Sequence, residues 1–442
     1  MKKQEARWLR FKMSKIKQVL KIYSETIKIP QIRKKILFTL LIISWFRFLA
    51  HLPSPGIDTT LLKNFFSQSQ FFSLLDIFSG GTLANFSLIA LGLNPYINAL
   101  VMFQLLGFVF PKINELRKEG EYGQKKLAQY TRLLTVPLAL IQAIGMYFLL
   151  RGQNLINNLT LIQVVLLVFT MAGGTMILVF LGELINQHGV GNGISVIIFS
   201  GIVARYPVVV FQTLSTISQT NIFQIAIFAA LAIILVIGII MVDEAFLKVP
   251  ITYARRLAGG RTYGSQASFL PLKVNTAGVM PIIFALSLLM VPSLFLGAFS
   301  RLPNPQLASM ISKFNSLFHP GSFFYNFLYF LLVVIFTYFY TTVVFNPGEV
   351  AEQLRKSGGF IPGVRPGEIT KNRLAFLLSR VTVIGAIFLG LVAVLPSLTQ
   401  GATGISTISL GGTGILIVIS VILELHRLLE NLVQTWRYDH YL

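Results

Sequence analysis

Ten stretches of the chain are apolar over about the twenty residues needed to cross hydrocarbon: 36–52, 86–110, 130–150, 159–182, 193–212, 222–242, 274–298, 323–345, 375–395 and 409–429. None alternates with period two, so a closed membrane barrel is excluded and each run predicts a helix. Several runs carry breakers and amides. Asn94 and Pro95 open the second, Gln104 lies further along it, and Asn275 and Pro281 fall in the seventh. Helices interrupted this way line cavities, and the same residues also serve as ordinary packing kinks and interhelical hydrogen bonds.

Charge orients the runs. With the N-terminus on the cytoplasmic side, 31 of the 37 Lys and Arg fall inside and only Lys63, Arg151, Arg205, Arg301 and Lys313 fall outside, while Arg47 lies within the first run. This asymmetry is the positive-inside signal, and it places both termini in the cytoplasm. The first run reads as a retained span. Arg47 interrupts it, the basic region before it is long, and Pro53-Ser54-Pro55-Gly56 replaces a small-residue cleavage site. Upstream, Leu9, Met13, Ile16, Leu20, Tyr23 and Ile27 recur at helical spacing, with Arg10, Lys12, Lys15, Lys17 and Lys21 between them. Residues 1–35 therefore form a basic amphipathic segment suited to the anionic leaflet, and the same charge would also suit a nucleic-acid or partner contact.

Composition sharpens this picture. The chain is 54% hydrophobic and 12% charged, with a mean hydropathy of +0.71, against about 45–50% and about 25% in soluble domains. It has no cysteine, which removes disulfides, thiolate metal sites and cysteine nucleophiles. No phosphate-binding loop of the Walker type occurs. His188-Gly189-Val190-Gly191-Asn192-Gly193 follows a membrane run, so it reads as a tight interhelical turn and not as a dinucleotide loop. His51, His188, His319, His426 and His440 are scattered, and no metal or other cofactor is expected. The aspartates Asp58, Asp76, Asp243 and Asp439 are all placed in loops or tails. No run carries a central acid, which argues against an intramembrane protease and weakens an ion-coupled transporter of a small solute, the main alternative.

Two long basic loops remain, at 243–273 and 346–375. The first carries Arg255, Arg256 and Arg261, and the second sets Arg365 inside Gly363-Val364-Arg365-Pro366-Gly367-Glu368. Their Gly and Pro content predicts defined hairpins. Arginines there can grip phosphate or acidic surface with forked geometry. For Arg255 and Arg256 a topology signal alone is enough to explain them. For Arg365 the rigid setting favours a function.

The same motifs carry a resemblance. Pro53-Ser54-Pro55-Gly56-Ile57-Asp58, Phe78-Ser79-Gly80-Gly81, Ala90-Leu91-Gly92-Leu93-Asn94-Pro95-Tyr96-Ile97, Gly191-Asn192-Gly193-Ile194-Ser195, Leu270-Pro271-Leu272-Lys273-Val274-Asn275, the Arg365 motif and Gly411-Gly412-Thr413 occur in the order found in one family. The chain resembles the SecY family, the channel subunits of the bacterial Sec protein translocase, over about residues 30–430.

The resemblance implies an all-α polytopic fold of ten transmembrane helices in two pseudo-symmetric halves, 36–215 and 216–432, with a tail at 433–442. These halves would close around an hourglass pore with a lateral gate and a plug at about 71–85. It further implies a pore ring of Leu93, Ile97, Ile198, Ile283 and Ile417, with Leu93 standing where isoleucine is commoner. Gln104 and Asn275 would belong to the polar cluster of the gate, and Arg255, Arg256, Arg261 and Arg365 would dock the ribosome or the SecA motor. The implied partners are SecE, SecG, SecA, the ribosome through its RNA, YidC and SecDF, membrane lipids, and preproteins with their signal sequences. The implied location is the plasma (inner) membrane. The implied role is passive: the channel is no enzyme, and a ring of branched apolar side chains blocks ions by dewetting while yielding to an unfolded chain.

Overall fold

The computed structural model describes residues 26, 28–54, 81–83, 85–152, 159–215, 222–253, 257–258, 261–262, 268–299, 317, 322–403 and 412–441. Each of the ten apolar runs overlaps a helix. In chain order the helices are α1 (Pro30–His51), α2 (Asn94–Val109), the short α3 (Pro111–Lys118), α4 (Glu121–Gly152), α5 (Leu161–His188), α6 (Gly193–Ser215) and α7 (Ile222–Glu244). They continue with α8 (Met280–Phe299), α9 (Phe323–Val344), the short α10 (Pro347–Lys356), α11 (Glu368–Thr403) and α12 (Gly412–Tyr441). Among the described residues, mean hydropathy over the best 18-residue window reaches 2.0 in α4, 2.5 in α5, 2.1 in the stretch led by α9 and 2.3 in α11. These are lengths and compositions that cross a membrane.

The chain divides into two compact units, residues 1–208 with 421–442, and residues 209–420. In the first unit α1 lies against α5. Thr39 donates to the Lys35 carbonyl at 3.0 Å and accepts the Val190 N–H at 3.0 Å, so one hydroxyl serves both its own helix and the turn after α5. Arg47, the charge that interrupts the first apolar run, donates to the carbonyl of Ser200 on α6. The foot of α1 is closed by Ile29, Ile32 and Val433, which form a small apolar core with the last helix.

The glycine-rich segment after α5 is the tight interhelical turn that its sequence predicts. The Asn186 Oδ1 accepts the Gly193 N–H at 2.7 Å, and the Asn192 Oδ1 accepts the Ile194 N–H at 3.1 Å, so two asparagines satisfy the otherwise orphaned amides that begin α6.

Helix α2 is shorter than its apolar run. The run begins at 86, but helix begins only at Asn94, with Pro95 in the first turn where its missing N–H costs nothing. Sixteen residues make only about 24 Å, less than the hydrocarbon thickness. The preceding residues 81–93 take up the difference as irregular backbone, and Thr82, Leu83, Phe86, Ser87, Ile89 and Ala90 are almost completely buried. Non-helical backbone at such depth is tolerated where protein satisfies it. Ser54 N–H donates to the Phe86 carbonyl at 2.9 Å and Leu88 N–H to the Leu52 carbonyl at 3.0 Å, which ties this segment to the chain leaving α1. Gly174 of α5 lies so close to the Leu88 carbonyl that a Cβ there would collide with it.

In the second unit, α9 packs on α11, where Ser397 donates to Asn326 at 2.6 Å. Helix α8 meets α9 through Phe284, whose ring stands edge-on to Phe336 at 6.1 Å. The expectation of defined hairpins in the basic loops is realised as a sheet. Strand β1 (Phe246–Tyr253) pairs antiparallel with β4 (Ser268–Lys273), in register Phe246 opposite Lys273, and also with β5 (Gly359–Phe360). The short β2 (Leu257–Ala258) and β3 (Arg261–Thr262) pair at the far end of the first loop.

Two adjacent glycines on α5 give a controlled test of the close approach. Gly174→Ala is expected to destabilise the protein by about 1–3 kcal/mol through overpacking against Leu88. Gly173→Ala, which meets nothing within 4 Å, is expected to be neutral or slightly stabilising. Thermal unfolding of both variants in the same detergent checks this, and equal melting temperatures would contradict it.

Candidate functional site

The two basic loops, separated by 72 residues of sequence, share one sheet and one apolar core. Val249, Ile251 and Leu272 point inward from the strands and meet Ala351 and Leu354 of α10, Ile361 just after β5, and Leu374 of α11. The alternation along β1 puts Val249 and Ile251 in this core and leaves Phe246, Lys248 and Pro250 exposed. Lys248 sits over the rings of Phe246 and Phe269, 5.7 and 5.1 Å from their centroids, and covers part of that exposed apolar face.

The motif Asn346-Pro347-Gly348-Glu349 proves to be a helix cap. Asn346 accepts the Gly348 N–H at 3.0 Å and donates to Glu349 at 2.9 Å, which starts α10. Further along, Arg355 grips Glu352 with two bonds, at 3.0 and 2.7 Å. That fork holds the Glu352 carboxyl below its ordinary range and raises the guanidinium of Arg355.

Arg365 is held in the rigid setting that its neighbours suggest. Gly363 and Gly367 adopt φ of +77° and +107°, values that disfavour any side chain with a Cβ. Val364 N–H donates to the Ile361 carbonyl at 3.0 Å, and the Thr370 hydroxyl donates to the Arg365 carbonyl at 2.8 Å. The backbone of Arg365 is thus fixed on both sides while its side chain stays exposed. Arg261 falls on β3, and Arg255 and Arg256 lie outside the described residues, as does most of the plug segment 71–85.

The five expected ring residues all fall at the beginnings of helices. Leu93 is the residue capping α2, and Ile97 follows one turn later, its N–H bonded to the Leu93 carbonyl at 3.0 Å. Ile198, Ile283 and Ile417 lie in the first two turns of α6, α8 and α12. Leu93, Ile198, Ile283 and Ile417 are buried and Ile97 is half-buried. The first unit holds Leu93, Ile97 and Ile198, and the second holds Ile283 and Ile417.

The gate residues divide in the same way. Gln104 is half-buried on α2. Asn275 was expected within the seventh run but precedes α8, in a turn where it is 7% exposed and donates to Asp243 at 2.9 Å.

Three ionisable residues occupy positions that the sequence did not reveal. Arg132, near the start of the third apolar run, and Glu183, just past the end of the fourth, lie within α4 and α5, where they form a 2.7 Å ion pair. Asp243, assigned to a loop, is buried in the last turn of α7. Helices longer than the apolar runs were the missing signal. Both α4 and α5 extend past their runs, so polar residues at the run ends become helical partners. Among the described residues, no group of three or more His, Asp or Glu could hold a metal ion.

These features define an α-helical membrane protein of two helical units, with a sheet-bearing pair of basic loops on the second. A family model described as SecY matches residues 87–426. The chain is 40% identical over 420 residues to the protein translocase subunit SecY of Thermotoga maritima, covering 92% of this chain and 94% of that one. It is 38% identical over 443 residues to the same subunit from Mycobacterium bovis, covering 96% and 100%. The chain belongs to the SecY family. Its fold is similar to a solved protein-conducting channel, with a TM-score of 0.63 at 18% identity over 92% of this chain and 96% of that one. It is also similar to Sec61 in a canine ribosome–channel complex, with a TM-score of 0.60 at 18% identity over the same shares.

The shared core under the loops makes the presentation of Arg365 depend on residues far from it. Leu272→Ala, at a site 1% exposed, should cost about 2–5 kcal/mol. It should open the sheet to trypsin at Lys248 on β1 and Lys273 on β4 while α4 and α5 stay protected. Unchanged cleavage kinetics would contradict a common core.

Proposed function

We propose that this chain is the protein-conducting subunit of a Sec translocase, embedded in the plasma membrane with both termini in the cytoplasm. The observation that carries the reading is near-full-length identity of 38–40% to translocase subunits. The physics of the chain supports it. An extended polypeptide cannot enter lipid, because its backbone N–H and C=O groups would lack partners. It needs a wet conduit that is closed when idle.

Leu93, Ile97, Ile198, Ile283 and Ile417 form the constriction of that conduit. Their branched side chains exclude water and ions and give way to any passing residue. The segment 71–85 acts as the plug. Gln104 and Asn275 lie at the lateral gate, through which an apolar segment partitions into lipid. Leu-rich segments gain roughly 0.3–0.6 kcal/mol per residue there, and a central charge loses about 2.5–3.5 kcal/mol. The chain is a channel subunit and not an enzyme, so the driving energy comes from partners: SecA or the ribosome on the basic loops, with SecE and SecG completing the channel. Arg365 is the best-placed contact, being exposed on a fixed backbone, and Arg255, Arg256 and Arg261 are the further contacts on the first loop. The solute-transporter alternative is not favoured, because Glu183 of α5 is already paired with Arg132 and Asp243 of α7 already accepts from Asn275.

Substituting Ile283→Asn or Ile417→Asn places a polar amide in the constriction. It should raise idle single-channel conductance and admit preproteins with weakened signal sequences. Unchanged conductance and stringency would remove the ring assignment. Arg365→Glu should lower preprotein transport in reconstituted vesicles by about tenfold or more while leaving membrane insertion of the subunit intact. Normal transport would remove the docking assignment.

A further inference from the structure

The foot of the β1–β4 hairpin is joined to the start of α8 by a buried polar contact that the general reading does not use. Asp243 sits in the last turn of α7, where a negative charge opposes the helix dipole. Local helix energetics therefore do not explain an aspartate there. Its carboxylate accepts the Asn275 Nδ2–H at 2.9 Å, and alongside it the Val274 N–H donates to the Ala245 carbonyl at 2.9 Å. The Val274 carbonyl is pressed against Gly385 of α11, where no Cβ would fit. The lead-in to α8 is thus clamped between α7 and α11.

The chemistry of the pair fixes more than position. A carboxylate can only accept, so it selects one face of the Asn275 amide and leaves Oδ1 as the outward-turned group. That Oδ1 is buried without a hydrogen-bond partner. A buried acceptor left unpaired raises the energy of the state that contains it.

We propose that Asp243 is a positioning residue for the lateral gate: by holding the Asn275 amide with its carbonyl oxygen unpaired, it biases the resting gate toward opening, and the N–H or hydroxyl donors of an entering peptide segment relieve that strain. The inference rests on the placement of Asn275 at the gate. It sets the threshold a signal sequence must exceed.

The test compares export of a preprotein carrying a defective signal with export of the same preprotein carrying an intact one. Purified complex reconstituted in vesicles is used, and the ratio of the two is the readout. Asp243→Asn allows two amides to close on each other reciprocally, pairing the Asn275 oxygen. The ratio should fall by about fivefold, the factor for one ordinary hydrogen bond. Asp243→Ala frees the Asn275 amide from the geometry that strands its oxygen, and the ratio should fall as well. The exchanged pair Asp243→Asn with Asn275→Asp leaves one carboxylate oxygen again without a donor and should return the ratio toward that of the unaltered protein. A simple structural tie, which Asn keeps and Ala loses, predicts no fall for Asn and a loosened gate with a raised ratio for Ala. That result, no change in either, or failure of the exchanged pair would overturn the proposal. Ile283→Asn run in parallel separates the two levels: if it raises the ratio while the Asp243 variants are silent, only this inference falls. If it is silent too, the channel reading fails with it.

Discussion

Backbone amides and carbonyls must find partners where water is absent, and this constraint organises the whole molecule. It makes the apolar runs helical, since only a helix satisfies its backbone within one segment. It also dictates how the exceptions are built. The irregular residues 85–93 are mostly buried, and the Phe86 carbonyl and Leu88 amide among them are tied to Ser54 and Leu52. Their close seat against α5 requires that Gly174 have no side chain. The constraint applies equally to a translocating chain, which has no helix to shelter in and needs a conduit supplied by another protein.

The second unit solves a different problem: how to hold charge in a fixed place next to lipid. Two loops far apart in sequence form one sheet over a core of Val249, Ile251, Leu272, Leu354 and Leu374. That core roots the loops in α10 and in the start of α11. Arg365 then sits between two glycines of positive φ, with a bonded backbone and an exposed head. A flexible loop would present the same charge but would lose conformational entropy on every docking event. Rooting the loop removes most of that cost in advance.

Most of the helices were legible in the sequence, because twenty-residue apolar runs admit one solution in lipid. The tight turn at 189–192 was legible too, since its glycines and asparagines have specific jobs there. The shortened α2 was not. Hydropathy cannot distinguish apolar residues in a helix from apolar residues in buried irregular backbone, and residues 86–93 are the latter. The pairing of β1 with β5 was also invisible, because it joins two loops with α8 and α9 between them. The Arg132–Glu183 pair was missed for the opposite reason. Composition ends a span at the first charge, but a helix continues through it when a partner waits on its neighbour.

The same reasoning explains why an apolar constriction and a polar gate suit one molecule. A constriction that bound any residue strongly would select its cargo, and a ring of leucine and isoleucine binds none. Discrimination has to be placed elsewhere, at groups whose hydrogen-bonding capacity differs between closed and open states. In the proposed channel Asn275 would meet that requirement: it is 7% exposed, bonded to Asp243 through its amide nitrogen, and its oxygen has no partner. An apolar side chain at that position would have no unpaired group for a peptide to satisfy, and a fully paired one would have none left to offer. The asymmetry of a carboxylate facing an amide, in which one partner can only accept, is what keeps the oxygen available.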